Sequence, residues 1–471
     1  MKVEAGGQRE RVLLPFLAGV LAGVAGGVLA RALVPKPGLD TRLIRRLRQD
    51  PDLPPVVFVP GILGSELVRP DGSQVWLNLG NALGHHDLSL PLALPFSESR
   101  DTLRPAGLLG VDAVLPRLFG FTEYADFLDL IESAGFGRDR PLAEPGATHH
   151  VFTYDWRRDL VESSRVLDQA LEELADRRGD PGLRVNLVGH SMGGLLARYY
   201  LRFGGGEPTG VTWAGARRIR NLILVATPNG GGVQALDAIL NGNRVGFSNT
   251  TLASGVIERM PAIYQLLPPA GVPALIDERC ERVEVDLQGP GTWERFGWGP
   301  FGSGPRRRHA DQSPGEPEPR REFVRAALER ARGFHDALAR APETPCPVRV
   351  VVLSGDCLPT LGRAVVTDRP GEPPRFEPQT RAEAESMLEA GDGRVTRASA
   401  LASHLPGADE DEGGCGLPEV TQAVFGAADH HGIYNEPAFQ SALLRILLRP
   451  PGREGVRKPR GSAVAAAARQ V

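Results

Sequence analysis

Short apolar runs recur along the chain and alternate with segments of helical periodicity. The runs are rich in β-branched residues and are bounded by turn residues, which is typical of buried parallel strands. They occupy residues 56–60, 149–154, 185–188, 221–226, 348–353 and 420–425. Because helical patterns fall between them, this order predicts an α/β fold with a doubly wound, mostly parallel sheet.

The helical segments between the runs carry their apolar side chains on one face. The pattern predicts helices over residues 124–133, over 160–174 with a stop at Gly179, and over 192–203. The third of these begins directly after the run at 185–188, so it continues a strand with only a short turn between them.

The folded domain is predicted to span residues 51–450, beginning at a Pro-rich break. The interval from 228 to about 345 is too long for one crossover connection. It contains the aromatic stretch WERFGWGPF at 293–301 and then a polar Arg, Pro and Gly run to Arg321. We predict a cap inserted into the core, with a mobile loop at its end, and a disordered tail over 451–471.

Residues 1–50 precede that domain and contain 19 consecutive uncharged residues from Val12 to Ala30. This length is close to the roughly 20 residues that span a bilayer, so the run predicts a membrane anchor or a signal peptide. Arg31 and the basic residues up to Arg48 follow it. A retained anchor would then leave the domain on the cytoplasmic side, whereas a cleaved signal would export it.

The composition of the chain limits the kinds of partner, metal and cofactor that it is expected to bind. A net charge of -3 gives no electrostatic basis for binding nucleic acid. Four scattered cysteines without a CxxC pair predict neither a disulfide framework nor a zinc site. His85, His86 and Asp87 are adjacent but lack a partner cluster, so we expect no metal and no cofactor. The 57 glycines and 41 prolines predict many turns and loops.

The strongest chemical motif is GHSMG at residues 189–193. It fits the G-x-S-x-G pattern of a nucleophile elbow, in which a serine sits on a sharp turn between a strand and a helix. A glycine-rich chain produces such a pattern easily, but here an apolar run precedes it and an amphipathic segment follows it. We therefore predict Ser191 as the nucleophile of acyl transfer, with Gly189 and Gly193 allowing strand and helix to approach.

A serine nucleophile needs a histidine base after the last strand. His430 and His431 both follow the run at 420–425. We favour His430 because of its spacing to Pro437, and leave His431 as the alternative.

The acid that orients the histidine should follow the run at 348–353. Asp356 ends that run directly in SGDCLP, whereas Asp392 lies in the Gly-flanked turn GDGRVT. We favour Asp392 and expect Asp356 to be a turn former or cap. The order Ser, Asp, His along the chain is then that of the α/β-hydrolases.

Two backbone N–H groups should stabilise the oxyanion of the tetrahedral intermediate. Met192, directly after the nucleophile, offers one of them. The loop PGILGSEL at 60–67 follows the first strand, and we predict Leu63 as the second donor. The alternative is that PGILG only ends the strand.

These motifs together resemble a known family. PGILGSEL, VWLN at 75–78, YDWR at 154–157, GHSMGG, ATPNGG at 226–231, GDGRVT and the late HHGI follow the order seen in the lecithin:cholesterol acyltransferase family and its bacterial relatives. The resemblance runs in patches from about 55 to 448. It implies the α/β-hydrolase fold, a triad on Ser191, Asp392 and the 430/431 pair, an oxyanion loop at Leu63 with Met192, and lipid ester substrates.

The expected function is therefore a serine-dependent lipid acyltransferase or acyl hydrolase that acts at a membrane surface. Trp76, the run LSLPLALPF at 88–96 and the aromatic stretch at 293–301 are candidates for an amphipathic mouth, or else for the core of the cap. Two alternatives remain: an esterase, thioesterase or amidase for a small soluble substrate, and a catalytically silent, membrane-anchored binding protein.

Overall fold

The fold is described from a computed structural model. It describes residues 53–75, 88–109, 123–138, 148–242, 252–302, 317–367, 369, 371–405, 408 and 414–448. The predicted N-terminal anchor, Trp76, the His85–Asp87 group and the predicted tail lie outside these residues.

Within the described residues, the central element is a sheet of seven strands in which every neighbouring pair is parallel. Its order is β13-β9-β7-β6-β1-β5-β4. The strands are β1 (Val56–Val59), β4 (Gly137–Arg138), β5 (Thr148–Val151), β6 (Val185–His190), β7 (Ile219–Val225), β9 (Arg349–Gly355) and β13 (Val420–Gly426). Each apolar run of the sequence overlaps one of these strands, so the predicted mostly parallel sheet is confirmed.

In the part of the chain that the structure describes, three pairs of short strands lie outside that sheet, and the sequence did not predict them. They are β2 (Ser65–Val68) with β3 (Arg104–Leu108), β8 (Leu275–Ile276) with β11 (Ala364–Val365), and β10 (Leu358–Leu361) with β12 (Leu388–Gly391). They carry no long apolar alternation, so their partners, which are distant in sequence, decide their conformation.

Helices connect the strands. They are α1 (Glu123–Ser133), α2 (Leu160–Arg177), α3 (Met192–Phe203), α4 (Val233–Asn241), α5 (Ser254–Ile257), α6 (Pro261–Tyr264), α7 (Pro290–Phe296), α8 (Pro317–Ala339), α9 (Arg381–Met387), α10 (Arg397–Leu401) and α11 (Pro437–Leu448). Short 3-10 turns occupy Phe96–Glu98, Ala214–Arg217, Gly299–Phe301 and Gly432–Asn435. The three helices predicted from periodicity are α1, α2 and α3.

The sheet is covered on both faces, as its continuous apolar runs require. Val57 and Val59 of β1 pack into one apolar cluster with α2 and α3. Val56 and Phe58, which point to the opposite face, pack into a second cluster with α1 and α11. The chain thus has the three-layer architecture of the α/β-hydrolase class.

The segment between β7 and β9 corrects one expectation. The polar run was predicted as a loop to Arg321, but α8 begins at Pro317. Proline is favoured in the first turn of a helix, and Glu318 complements the helix dipole there. Arg320 is buried in an ion pair with Glu258, with 2.9 Å between the nearest nitrogen and oxygen.

The aromatic stretch supplies the core of this segment rather than a mouth. Trp293, Phe296 and Trp298 are all buried. Trp298 stacks on Phe296 with 4.8 Å between ring centroids, and Trp293 lies 5.9 Å from Tyr264. The indole N–H of Trp293 donates to the carbonyl of Leu287. Of the two alternatives, the structure therefore favours cap core.

Within the described residues, no helix is long and apolar enough to cross a bilayer. The four cysteines, Cys280, Cys346, Cys357 and Cys415, are all free thiols.

Candidate active site

Ser191 occupies the sharp turn between β6 and α3. Its backbone has φ 53° and ψ -124°, a conformation that side chains rarely adopt. The Ser191 N–H donates to the carbonyl of Val225 on the neighbouring strand, at 2.8 Å. This hydrogen bond holds the strained turn at the end of the sheet, where a nucleophile elbow places its serine.

Glycines around Ser191 make the turn sterically feasible. A methyl group at Gly189 would lie 2.6 Å from the Cα of Gly194, and one at Gly193 would lie 2.4 Å from the carbonyl oxygen of Val59. The sequence identified these two glycines. It did not single out Gly194, where a methyl group would lie 1.9 Å from the hydroxyl of Thr227.

His430 and Asp392 form a buried pair. The distance from His430 Nδ1 to Asp392 Oδ2 is 2.9 Å, and the His430 backbone N–H donates to the Asp392 carbonyl at 2.8 Å. The other carboxylate oxygen accepts the N–H groups of Arg394 and Val395. Burial opposes ionisation, but His430 and these two N–H groups hold the pKa of Asp392 below its ordinary value.

The structure brings Asp392, and not Asp356, to His430, and places His431 at the exposed side of His430 with 5.3 Å between the two ring centroids. Asp356 lies in the short connection between β9 and β10, and its carboxylate pairs with Arg397 at 2.5 Å. His431 is exposed, and its backbone N–H donates to Asp429.

The loop after β1 forms a turn beside Ser191. Gly64 N–H donates to the Gly61 carbonyl at 3.1 Å, and Leu63 has φ 65°, as the third position of a type II turn requires. A methyl group built on Gly61 would lie only 3.0 Å from Ser191 Cβ. The loop that contains Leu63 therefore approaches the serine. Met192 begins α3, where the first N–H groups lack partners within the helix.

The YDWR motif holds this loop in place. Tyr154 donates its hydroxyl to the Pro60 carbonyl at 3.0 Å, and Trp156 donates its indole N–H to the Ser65 carbonyl at 3.1 Å. Fully buried Arg157 binds Asp101 and Asp155 and donates to the Leu88 carbonyl. The motif thus clamps both ends of the turn, which the sequence pattern alone did not reveal.

Two residues near Ser191 were missed at the sequence level. Tyr124 and His190 are buried next to Gly61 and Ser191, and their side chains contact each other at 3.2 Å. His190 appeared only as the variable position of the motif, and Tyr124 appeared only as the start of a helix. No local pattern links them, because 66 residues separate them.

The site residues collect at one edge of the sheet. Gly61 follows β1, Ser191 follows β6, and His430 follows β13, each at the carboxyl end of a parallel strand. Open parallel sheets place their ligand sites at this edge. Among the described residues, no group of three or more His, Cys, Asp or Glu side chains is arranged to hold a metal ion.

Residues 100–284 match the family model for lecithin:cholesterol acyltransferase. Over this part of its length the chain is similar to the lecithin:cholesterol acyltransferase family. The match includes YDWR and Ser191. Asp392 and His430 lie beyond it, so the case for them rests on geometry.

Two curated proteins are similar to the chain over part of their length. A lecithin-cholesterol acyltransferase-like protein 4 from Arabidopsis thaliana is 29% identical over 174 residues, covering 32% of this chain and 31% of the plant protein. A lysosomal phospholipase A and acyltransferase from Homo sapiens is 30% identical over 258 residues, covering 45% of this chain and 57% of the human protein. The chain thus spans about a third of one relative and just over half of the other.

Among solved structures, a chain of the Tle4–Tli4 complex superposes with a TM-score of 0.51 at 15% identity. The superposition covers 84% of this chain and 98% of that chain. At this identity the likeness shows a shared fold only.

Proposed function

We propose that this chain is a serine-dependent lipid acyltransferase or acyl hydrolase. Ser191 Oγ attacks the ester carbonyl while His430 accepts the hydroxyl proton, and Asp392 holds the histidine ring in orientation. The backbone N–H groups of Leu63 and Met192 stabilise the oxyanion. His430 then returns the proton to the leaving alcohol. Water or a second alcohol takes the acyl group from Ser191, in a step in which His430 again serves as base.

The observation that carries the proposal is the buried contact between His430 Nδ1 and Asp392 Oδ2 at the sheet edge that bears Ser191. A carboxylate on Nδ1 keeps the proton on that nitrogen and leaves Nε2 as the basic nitrogen. Together with a strained serine at the start of a helix, this contact supports the assignment of Ser191, His430 and Asp392 as an acyl-transfer triad.

The lipid ester as substrate rests on the family relationship. The human relative is named for phospholipase A and acyltransferase activity. We further propose that the protein works at a membrane surface and that residues 12–30 either hold it to a membrane as a retained anchor or export it as a signal peptide that is then cleaved. Comparing the membrane, soluble and exported fractions of the full chain with those of a chain that starts at residue 51 tests this, and the same distribution of both chains would contradict it.

A fluorophosphonate probe tests the serine directly. We expect labelling of Ser191 in the folded wild type and none in Ser191→Ala. Mass spectrometry of the products from mixed phospholipids and candidate alcohols then separates hydrolysis from transfer. A folded wild type that is not labelled at Ser191 would show a catalytically silent protein.

His430 and His431 offer a matched pair for assigning the base. His430→Ala should lower kcat by several orders of magnitude, about as much as loss of Ser191, because triad members act as a unit. His431→Ala should leave kcat near the wild-type value, because His431 is exposed beside the site. The reverse pattern would move the base to His431.

Substrate class is decided by comparing short water-soluble esters with micellar phospholipid. We expect turnover to rise when the lipid is presented as micelles. Equal turnover of both would favour an esterase for small soluble substrates.

A further inference from the structure

We propose that Tyr124 and His190 are positioning residues, which join the loop beside Ser191 to the backbone of His430 through one continuous line of hydrogen bonds. We call this line the Tyr124–His190 link. The inference rests on the proposed function, because it concerns two parts of that machinery: the oxyanion loop and the base.

The link has three hydrogen bonds. The Gly61 N–H donates to the Tyr124 hydroxyl oxygen at 3.0 Å, and the Tyr124 hydroxyl lies 3.2 Å from His190 Nδ1. His190 Nε2 lies 3.3 Å from the carbonyl oxygen of His430. The link therefore begins in the turn that contains Leu63 and ends on the residue that carries the base.

The two end groups of the link, the Gly61 N–H and the His430 carbonyl, determine which atom donates in each hydrogen bond. A carbonyl oxygen only accepts, so His190 Nε2 must carry the proton that it donates to His430. Burial, together with the nearby His430 and His431 side chains, lowers the pKa of His190 well below its usual range, so the ring is neutral and Nδ1 is bare. The Tyr124 hydroxyl then donates to Nδ1 and accepts from Gly61. All three donors point the same way.

The link is rigid because its members are buried and packed. Tyr124 is 5% exposed and His190 is 1% exposed. The His190 ring lies 5.0 Å from that of His430, 5.5 Å from that of Tyr124 and 5.6 Å from that of Tyr434. Because these rings surround it, the His190 side chain has only one available position. It therefore couples the position of the loop at Gly61 to that of the loop at His430.

Both ends of the link lie next to proposed catalytic residues, where a small displacement of the backbone would change the reaction rate. Gly61 is so close to Ser191 that an added methyl group would lie 3.0 Å from Ser191 Cβ. The other end holds the His430 carbonyl, and the His430 N–H is already tied to Asp392. A misplacement of about 1 Å in a catalytic group costs up to about 100-fold in rate. Loss of the link should therefore slow chemistry more than it weakens substrate binding.

The test uses Tyr124→Phe, His190→Leu and His190→Gln in the full chain. We expect the first two to lower kcat and the rate of fluorophosphonate labelling by about 10- to 100-fold, with KM changed less than about threefold. His190→Gln keeps a donor and an acceptor, so it should recover part of the loss. The double variant Tyr124→Phe/His190→Leu should be no slower than His190→Leu, because both changes break one link.

Tyr200→Phe is the matched control. Tyr200 is also buried and donates its hydroxyl to Asp168 at 3.0 Å, but it lies on α3 away from the link. It should lower the melting temperature about as much as Tyr124→Phe while leaving kcat unchanged.

The NMR spectrum of ¹⁵N-labelled histidine side chains shows which nitrogen of His190 carries the proton, and it needs no substrate. We expect a neutral His190 with its proton on Nε2, and a changed Nδ1 signal in Tyr124→Phe. A proton on Nδ1, wild-type kcat in both Tyr124→Phe and His190→Leu, or multiplied losses in the double variant would overturn the proposal. If the wild type itself shows neither turnover nor labelling, the proposed function fails, and the positioning role fails with it.

Discussion

The Asp392 carboxylate keeps its charge in a site that excludes water because each oxygen has its own donors. Oδ1 accepts two backbone N–H groups and Oδ2 accepts from His430, while the residue is only 1% exposed. The backbone N–H groups of the GDGRVT turn therefore stabilise the charged form of Asp392, as water stabilises an exposed carboxylate.

Replacing Asp392 with Asn should disable this arrangement without unfolding it. An amide at that position removes the charge that fixes the His430 tautomer, and the equivalent change in a serine protease triad costs about 10⁴-fold in kcat. We expect a loss of that order, measured by steady-state kinetics. Asp356→Asn is the control, since it breaks only the partly exposed pair with Arg397. Similar losses in both variants would contradict the assignment of Asp392.

Glycine has opposite roles at two helical positions, and the difference is measurable. Gly194→Ala would push a methyl group to 1.9 Å from Thr227 Oγ1, so it should destabilise the fold by about 1–3 kcal/mol. Gly333→Ala in α8 meets no atom within 4 Å and should stabilise the fold by roughly 0.5–1 kcal/mol. Urea denaturation measures both, and a stable Gly194→Ala would show that α3 can move away from β7.

At the scale of elements, hydrogen bonds and an ion pair attach α8 to the start of α2. His335 Nε2 on α8 lies 2.8 Å from the Gln265 carbonyl oxygen, and the Gln265 side chain binds Asp159 and the first N–H of α2. Arg330 on α8 pairs with Asp159 as well, at 2.7 Å. These contacts connect the segment between β7 and β9 to the first turn of α2.

His335 should make the fold sensitive to acid. Burial lowers the pKa of His335 to about 4. The unfolded chain binds a proton at this residue below about pH 6.5, whereas the folded chain does so only below about pH 4. The free energy of unfolding therefore falls as pH falls between these values, by at most about 3 kcal/mol.

Urea denaturation at several pH values, on wild type and His335→Gln, measures this contribution. The variant should show a shallower pH dependence over this range. His404→Gln should act in the same direction with a smaller effect, because burial also lowers the pKa of His404 to about 4 but its side chain is more exposed. Parallel curves for wild type and His335→Gln would mean that the buried ring does not resist protonation.

Pattern predicted some elements well and others not at all. Residues 185–188 and 221–225 form strands because an apolar run can be buried in only a few ways. The polar start of α8 was missed because its stability comes from Arg320, which pairs with Glu258 62 residues away. The aromatic stretch at 293–301 left two alternatives because periodicity shows which side chains are apolar but not what covers them.

The candidate site also contains some residues that local sequence patterns identify and others that they do not. Ser191 is recognisable because its turn depends on neighbours in sequence. Asp392 and His430 were favoured over Asp356 and His431 from local patterns, and their contact appears only once the fold brings residues 38 positions apart together. Tyr124 has no local signal, since its partner Gly61 precedes it by 63 residues.

At the scale of the whole molecule, a buried ionic cluster joins three distant segments. Glu419, directly before β13, pairs with Arg198 and Arg202 of α3, and all three side chains are at most 1% exposed. Arg198 also donates to the Leu338 carbonyl at the end of α8, and Arg202 donates to that of Arg340. Burial opposes the charge of Glu419, yet the two arginines lower its pKa.

Glu419→Gln should therefore be among the most destabilising conservative changes. It leaves two buried guanidinium groups without their carboxylate, which costs about 3–5 kcal/mol in comparable buried pairs. Glu207→Gln is the control, because the pair with Arg165 is exposed and should contribute at most about 1 kcal/mol. Urea midpoints compare the two, and equal small losses would show that water reaches the cluster.

The strand order of the central sheet also has a consequence for synthesis on the ribosome. The strand that positions Ser191 is translated long before β13, and the tie from His190 to His430 spans 240 residues. A nascent chain that has already formed β6 and α3 still lacks His430, the proposed base, and the last edge strand. Under the proposed mechanism, the growing polypeptide therefore exposes no competent nucleophile to surrounding esters until His430 has been translated.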